Sequence, residues 1–259
     1  MGEYEIYLEA AKEVSREAGE LLRENFFKAG EIFFKGEVNL LTESDTAAQD
    51  LIFRRLSNKF PSHDFLAEEG LRKLSAAEFR WVFDPLDGTT NFAHRFPVFC
   101  VSLGLEHRKE LVCGVVFNPM SGELFWAERG GGAYLNGQKI SVSKIDDLDK
   151  SLVATGFPYD LRETKTNIDH HNHFLLKTQG VRRCGSAALD LCSVACGRFD
   201  GFWEMKLNPW DTAAGAVIIE AAGGRITDFE GHVVNIYNPQ VAASNGLIHR
   251  AMLDILKAK

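Results

Sequence analysis

The chain has no apolar run near the roughly 18 residues that a membrane-spanning helix needs, and its first residues (Glu3, Glu5) are acidic where a leader would be basic, then apolar. Neither a signal peptide nor a membrane partner is expected. Position 6 is Ile6, not the Ser or Thr that N-myristoylation of Gly2 favours. Cysteine is sparse and odd in number: Cys100, Cys113, Cys184, Cys192 and Cys196 show no zinc-site spacing. Buried free thiols in a reducing cytoplasm are expected. His170, His171 and His173 lie among polar residues with no Cys nearby, which suits a solvated helix face or loop better than a metal site. There is no Gly-x-Ser-x-Gly nucleophile setting, no internal repeat and no low-complexity linker. Basic residues are in deficit, 29 Lys and Arg against 36 Asp and Glu. The net charge of −7 argues against nucleic acid as a main partner.

What is present is an ordinary globular composition, 45% apolar and 25% charged over 259 residues. That length fits one large domain or two closely joined ones, here an N-terminal half (1–145) and a C-terminal half (146–259) forming one compact unit. Tyr7, Ala11, Val14, Ala18 and Leu21 recur at helical steps, predicting an amphipathic helix over 3–28 that ends near Gly30. A short apolar stretch follows at 32–36, closed by Gly36. Ser44 and Asp45 open a second helix through Leu56. Short strands are expected at 65–67 and 80–84. Residues 98–143 alternate like an antiparallel meander, with Asn136-Gly137 a strong two-residue hairpin signal. Beyond Ser151 the pattern predicts strand 151–155, helix near 163–178, strand 181–184, helix 186–196, strand 199–205, helix 210–222, strand 225–228 and a last helix near 246–257. The order suggests two sheet layers between helices.

The chemistry concentrates in Trp81-Val82-Phe83-Asp84-Pro85-Leu86-Asp87-Gly88-Thr89-Thr90-Asn91-Phe92. An apolar strand runs into two carboxylates, a Gly and two hydroxyls, and strands that end this way present charge at a sheet edge where ligands bind. Pro85 restricts the backbone so that Asp84 and Asp87 can converge. Converging carboxylates repel unless a cation joins them, and hard oxygen ligands select Mg²⁺, Mn²⁺ or Ca²⁺. Gly88-Thr89-Thr90 reads as a helix start whose N–H groups can hold an anion. Asp-Pro-Leu-Asp-Gly is also what a plain turn contains. Glu68 and Glu69 end a short strand just upstream, and Asp211 opens a helix after Trp210, with Ala213, Ala214 and Gly215 permitting close packing. A solvated Glu pair and a simple N-cap are the bland alternatives. Four acids at strand ends or helix starts fit a multi-cation site better than four coincidences.

These segments make the chain resemble the inositol monophosphatase family of Mg²⁺-dependent phosphatases. Trp81 to Phe92 matches its first motif. Trp210-Asp211-Thr212-Ala213-Ala214-Gly215, with Glu220-Ala221-Ala222-Gly223-Gly224, matches its second. Glu68-Glu69 matches its acidic pair. Val38 to Asp45 resembles its N-terminal Asp segment, and Arg183-Cys184-Gly185-Ser186-Ala187-Ala188 its substrate-side loop. The likeness spans about residues 5–250. Phe83 replaces a more usual Ile or Leu, an apolar exchange.

The resemblance implies an α/β (α+β) fold, a layered αβαβα sandwich of the inositol monophosphatase and fructose-1,6-bisphosphatase type. It implies two or three Mg²⁺ ions, with Mn²⁺ as a substitute. Glu68, Asp84 and the Leu86 carbonyl would hold one ion, and Asp84, Asp87 and Asp211 another. Glu68 with waters would hold a weaker third. Thr89 with Asp45 behind it would activate water, with Glu68 and Glu69 also counted as catalytic. Gly88 and Thr89 would hold phosphate. Asp87, Gly185, Ser186, Ala187 and Glu204, with Arg183 nearby, would face the substrate's alcohol part. A cytoplasmic homodimer acting on a small phosphorylated polyol or sugar is implied.

On that resemblance inositol-1-phosphate would be the leading substrate, hydrolysed by direct attack of a metal-activated water. Fructose-1,6-bisphosphate, alone or as a second activity, histidinol phosphate and adenosine 3′,5′-bisphosphate are the alternatives. A catalytically idle binding or regulatory protein should have lost one of Glu68, Asp84, Asp87, Thr89 or Asp211, and none is lost.

Overall fold

The computed structural model describes residues 2–27, 32–35, 39–158 and 166–258. Helix α1 (Glu5–Phe27) buries Leu8, Ala11, Ala18 and Leu22. That stripe is centred one residue beyond the expected one, so Tyr7 and Leu21 pack only at its border. A short antiparallel hairpin, β1 (Ile32–Lys35) and β2 (Asn39–Thr42), leads into α2 (Glu43–Lys59). The expected boundaries at Gly30 and Gly36, Val38 of the N-terminal Asp segment, and the start of the helix expected from 163 lie outside the described residues.

The first sheet contains β3 (Asp64–Ala67), β4 (Arg72–Lys73), β5 (Phe79–Asp87), β6 (Cys100–His107), β7 (Glu110–Asn118), β8 (Glu123–Glu128), β9 (Ala133–Leu135) and β10 (Gln138–Ile140), in the order β10-β9-β8-β7-β6-β5-β3-β4. The short helix α3 (Thr89–Ala93) follows β5 directly. The meander is as expected. Asn136 and Gly137 both adopt positive φ (49° and 81°), which a two-residue hairpin turn with both central residues left-handed requires.

The second sheet contains β11 (Leu152–Thr155), β12 (Gly180–Arg182), β13 (Gly201–Met205), β14 (Arg225–Thr227) and β15 (Gln240–Ser244), in the order β12-β11-β13-β15-β14. Strand β15 was not expected. Gln-Val-Ala-Ala-Ser is buried on both faces after its first residue, so it shows no alternation. The remaining helices are α4 (Thr166–Leu175), α5 (Ala187–Ala195), α6 (Pro209–Ala221) and α7 (His249–Leu256). His170 is not on a solvated face as expected. It is buried and meets the Leu256 carbonyl at the end of α7 through Nε2 (3.1 Å).

Helices α1 and α2 cover one face of the first sheet, α5 and α6 fill the space between the sheets, and α4 and α7 cover the far face of the second. The result is the αβαβα sandwich. Helix α6 lies unusually close to β6 and β7. A β-carbon at Gly104 would stand 2.6 Å from that of Ala213, and one at Gly114 would collide with the Ala214 carbonyl. Glycine on the sheet and alanine on the helix let the two backbones touch, which brings the start of α6 to the end of β5. All five cysteines are free.

Candidate active site

On a regular strand, residues three apart point to opposite faces. Asp84 pairs with Ser102 of β6, whereas Asp87 pairs with Cys100, so the register shifts between them. The extra residue, within the segment containing Pro85, turns both carboxylates into one cleft. Strand β3 runs parallel to β5 with Ala67 opposite Phe83. Glu68 therefore leaves the sheet beside Asp84 and enters the same cleft, while Glu69, one residue on, is not among its lining residues. Asp211, at the third position of α6, closes the group. Its Oδ2 accepts from the Asn208 N–H at 2.7 Å, so it acts inside the first turn and is not the N-cap.

The cleft holds about 280 Å³. Glu68, Asp84, Leu86, Asp87, Gly88, Thr89 and Asp211 form one wall, and Arg183, Gly185, Ser186, Ala187 and Glu204 the other. Asp45 does not line it, but it is 1% exposed and its charge acts on Asp84. Gly88 takes φ 98°, a left-handed conformation open to glycine, and its turn starts α3.

Burial holds Asp84 well above the usual carboxylate range, and Glu68, Asp87 and Asp211 add to the effect. Burial likewise raises Asp211, with help from Glu68 and Asp87. Asp87 is raised by burial against opposing donors: Ser186 Oγ (2.6 Å), the Ala188 N–H (2.8 Å) and Cys100 Sγ (3.7 Å), all on Oδ2, and the Ala187 N–H. On the other wall, burial raises Glu204, and Asp190, Asp211 and Asp87 reinforce it.

Two expected site residues also make hydrogen bonds within the protein. Ser186 lines the cleft. It is 1% exposed and committed to Asp87 while capping α5 through the Leu189 N–H. Thr89 Oγ1 donates to the Leu86 carbonyl at 3.1 Å. Several further cleft residues carried no earlier expectation, among them Gly156, Asp190 and Asn208. Of these, Asp190 had a signal, as the sole acid in the apolar run 187–195. Asn91 joins the two walls, its Nδ2 donating to the Val98 carbonyl (2.7 Å) and the Cys184 carbonyl (2.8 Å).

As placed, no three His, Cys, Asp or Glu side chains among the described residues are gathered to hold an ion. Asp84 accepts on Oδ1 from the Leu86 N–H, and Asp87 and Asp211 accept on Oδ2, so each of these bonds uses one oxygen of its carboxylate. The donor set is carboxylate and carbonyl oxygen, which fits a hard dication, and buried carboxylates that raise one another's pKa are stabilised by one.

A two-sheet sandwich with an acidic cleft beside a helix start has the build of a phosphate-ester hydrolase. A profile of the inositol monophosphatase family matches residues 3–258. The chain is 43% identical to inositol monophosphatase 3 of Solanum lycopersicum, over 98% of each chain. It is also 43% identical to an inositol-1-monophosphatase of Synechocystis sp., over 98% of this chain and 90% of that one. The inositol monophosphatase structure from Anabaena (Nostoc) sp. superposes with a TM-score of 0.90 at 39% identity, covering 98% and 96% of the two chains. The extragenic suppressor protein suhB of Bartonella henselae gives 0.93 at 36%, covering 97% and 98%. The chain belongs to the inositol monophosphatase family, whose members are phosphoric monoester hydrolases.

Proposed function

We propose that this chain hydrolyses the phosphate monoester of a small polyol, inositol-1-phosphate first, with two or three Mg²⁺ ions, Mn²⁺ substituting. The observation that carries this is the meeting of Glu68, Asp84, Asp87 and Asp211 in one cleft with the start of α3, opposite a wall bearing Glu204. Glu68, Asp84, the Leu86 carbonyl, Asp87 and Asp211 would hold the ions. Bound dications offset charge on phosphate oxygens and lower the pKa of water.

The residues supply the rest. The first-turn N–H groups of α3 lack acceptors within the helix, so Gly88 and Thr89 can receive phosphate oxygens. Thr89 Oγ1 would accept the proton of the attacking water while passing its own hydroxyl proton to Asp45, so that the pair takes up one proton in all. Glu69, outside the cleft, is given no step. Glu204 and Asp87 offer acceptors to vicinal hydroxyls. Five free thiols suit a reducing compartment. Among the described residues no helix is long and apolar enough to cross a membrane. A homodimer is part of the same proposal, tested by light scattering of the purified chain.

The test is phosphate release from inositol-1-phosphate with Mg²⁺, after EDTA, and after Mg²⁺ is restored. Release that is indifferent to chelation would refute the metal assignment. Fructose-1,6-bisphosphate is a second substrate favoured by one observation: the cations Arg183 and Lys206 both line the cleft and could receive a second phosphate.

A further inference from the structure

Gly156 directly follows β11 and lines the cleft on the Glu204 side. A β-carbon there would fall on the Glu204 carboxylate, on both oxygens and Cδ, far inside van der Waals contact. Gly156 is not among the residues with positive φ, so its backbone does not require glycine. What the missing side chain provides is room: the Glu204 carboxylate lies against a bare Cα.

The backbone at this point is held in place. Asn167 of α4 donates through Nδ2 to the Gly156 carbonyl and to Thr155 Oγ1 (3.2 Å), and accepts on Oδ1 from Trp203 Nε1 (2.9 Å). Thr155 Oγ1 in turn donates to the Trp203 carbonyl at 2.7 Å. Thr155 and Trp203 are paired neighbours on parallel strands, and Glu204 follows Trp203. All three members of this network are at most 1% exposed. An amide meets both demands with one side chain, as it carries donors and an acceptor together; a carboxylate has no donor when ionised. The network is fully engaged and distant in sequence from Asp84 to Thr90.

We infer that Gly156, pinned by Asn167, is a specificity-determining position: its bare Cα is the seat that sets the Glu204 carboxylate against a polyol. The inference rests on the proposed role of Glu204 toward the alcohol side. A methyl at 156 displaces Glu204 and leaves the carboxylate cluster and the start of α3 where they are. Gly156→Ala should lower kcat/KM for inositol-1-phosphate by about tenfold or more, the scale of losing hydroxyl-directed contacts. For p-nitrophenyl phosphate, which has no hydroxyl to place, kcat/KM should stay within about twofold.

The experiment compares wild type, Gly156→Ala, Glu204→Ala and the double variant on both esters, with thermal melts of each. The expected result is a selective loss of the polyol ester in both single variants. The double variant should lose no more than Glu204→Ala alone, because removing the carboxylate opens the space that the methyl needs. Asn167→Ala, which leaves Gly156 bare but unpinned, should lower the same ratio by less. A purely structural effect would lower both esters together and is thereby recognised. Additive losses in the double variant, or loss in Glu204→Ala with none in Gly156→Ala, would overturn the inference and leave the polyol assignment standing. If Glu204→Ala itself leaves the ratio unchanged, the polyol assignment falls, and the inference with it.

Discussion

One wall of the cleft comes from consecutive residues, Asp84 to Thr90, with Glu68 and Asp211 brought alongside; the other gathers Gly156, the Gly185-Ser186-Ala187 turn and Glu204 from separate connections. The first wall is electrostatically unfavourable by itself. Its buried carboxylates push one another's pKa upward. The second is held by satisfied hydrogen bonds, through Asn167, Thr155 and Trp203. The contrast teaches that the two walls have different tasks. On the proposed function, a repelling cluster receives cations, and an uncharged frame holds one acceptor still. Damage to the first should abolish turnover, while damage to the second should change which ester is turned over.

The largest expected effect is at Asp84, which stands at the centre of the repelling wall. Asp84→Asn should reduce hydrolysis at least ~10³-fold, the order seen when a central electrostatic group is lost. The same change should leave stability in EDTA unchanged or raised, since it removes one of several clustered charges. Kinetics and thermal melts with and without Mg²⁺ check both halves, and near-full activity at ordinary Mg²⁺ would end the assignment.

Thr89→Ala separates proton transfer from cation binding within that wall. The rate should fall by roughly 10²–10⁴, as for a lost general base. Calorimetry should show Mg²⁺ or Mn²⁺ affinity retained, and a collapse of affinity would make Thr89 a ligand or a structural support.

Ser186 ties the walls together, so its loss should register on both. Ser186→Ala removes the 2.6 Å bond to Asp87 and the cap of α5. Loss of a cap costs about 1 kcal/mol, or about 2–4 °C in Tm for a chain of this size class. The Mg²⁺ concentration for half-maximal activity should rise as Asp87 loses its anchor. An unchanged Mg²⁺ requirement would confine Ser186 to capping.

The smallest effect lies away from the cleft. His249 is 1% exposed, between Thr227 Oγ1 (2.9 Å from Nε2) and Ser244 Oγ (2.9 Å from Nδ1). Burial lowers its pKa to about 4, as it does for His63. In the unfolded chain these imidazoles take a proton near pH 6.5, and in the folded chain only near 4. Their contribution to stability is thus complete above about pH 6.5 and declines as the pH falls toward 4. Tm should drop over that window, and His249→Gln should flatten part of the slope. An unchanged slope in the variant would show that His249 does not titrate this way.

The charged wall was readable from the sequence because it is local. Trp81 to Phe92 carries strand, two acids about a proline, and helix start in order, and Glu68 ends a short strand just upstream. The sandwich was readable for the same reason, from alternation and helical steps. Strand β15 was not, since Val241 to Ser244 is buried on both faces. The alcohol wall was readable only as residues, not as contacts. Ser186 was expected to face the substrate, and its bond to Asp87 had no signal in the sequence. Gly156 gave no signal, because its importance arises only when Glu204 packs against it across two strands.

The most direct measurement is kcat/KM for inositol-1-phosphate and for p-nitrophenyl phosphate, at saturating Mg²⁺, in wild type, Asp84→Asn and Glu204→Gln. Wild type should prefer the polyol ester by about tenfold or more, since an aryl ester leaves the acceptors of the second wall unpaired. Asp84→Asn should lower both values in parallel, and Glu204→Gln should lower the polyol value alone. No preference in wild type, together with no effect of Glu204→Gln on either ester, would contradict the division of the cleft into a wall that reacts and a wall that selects.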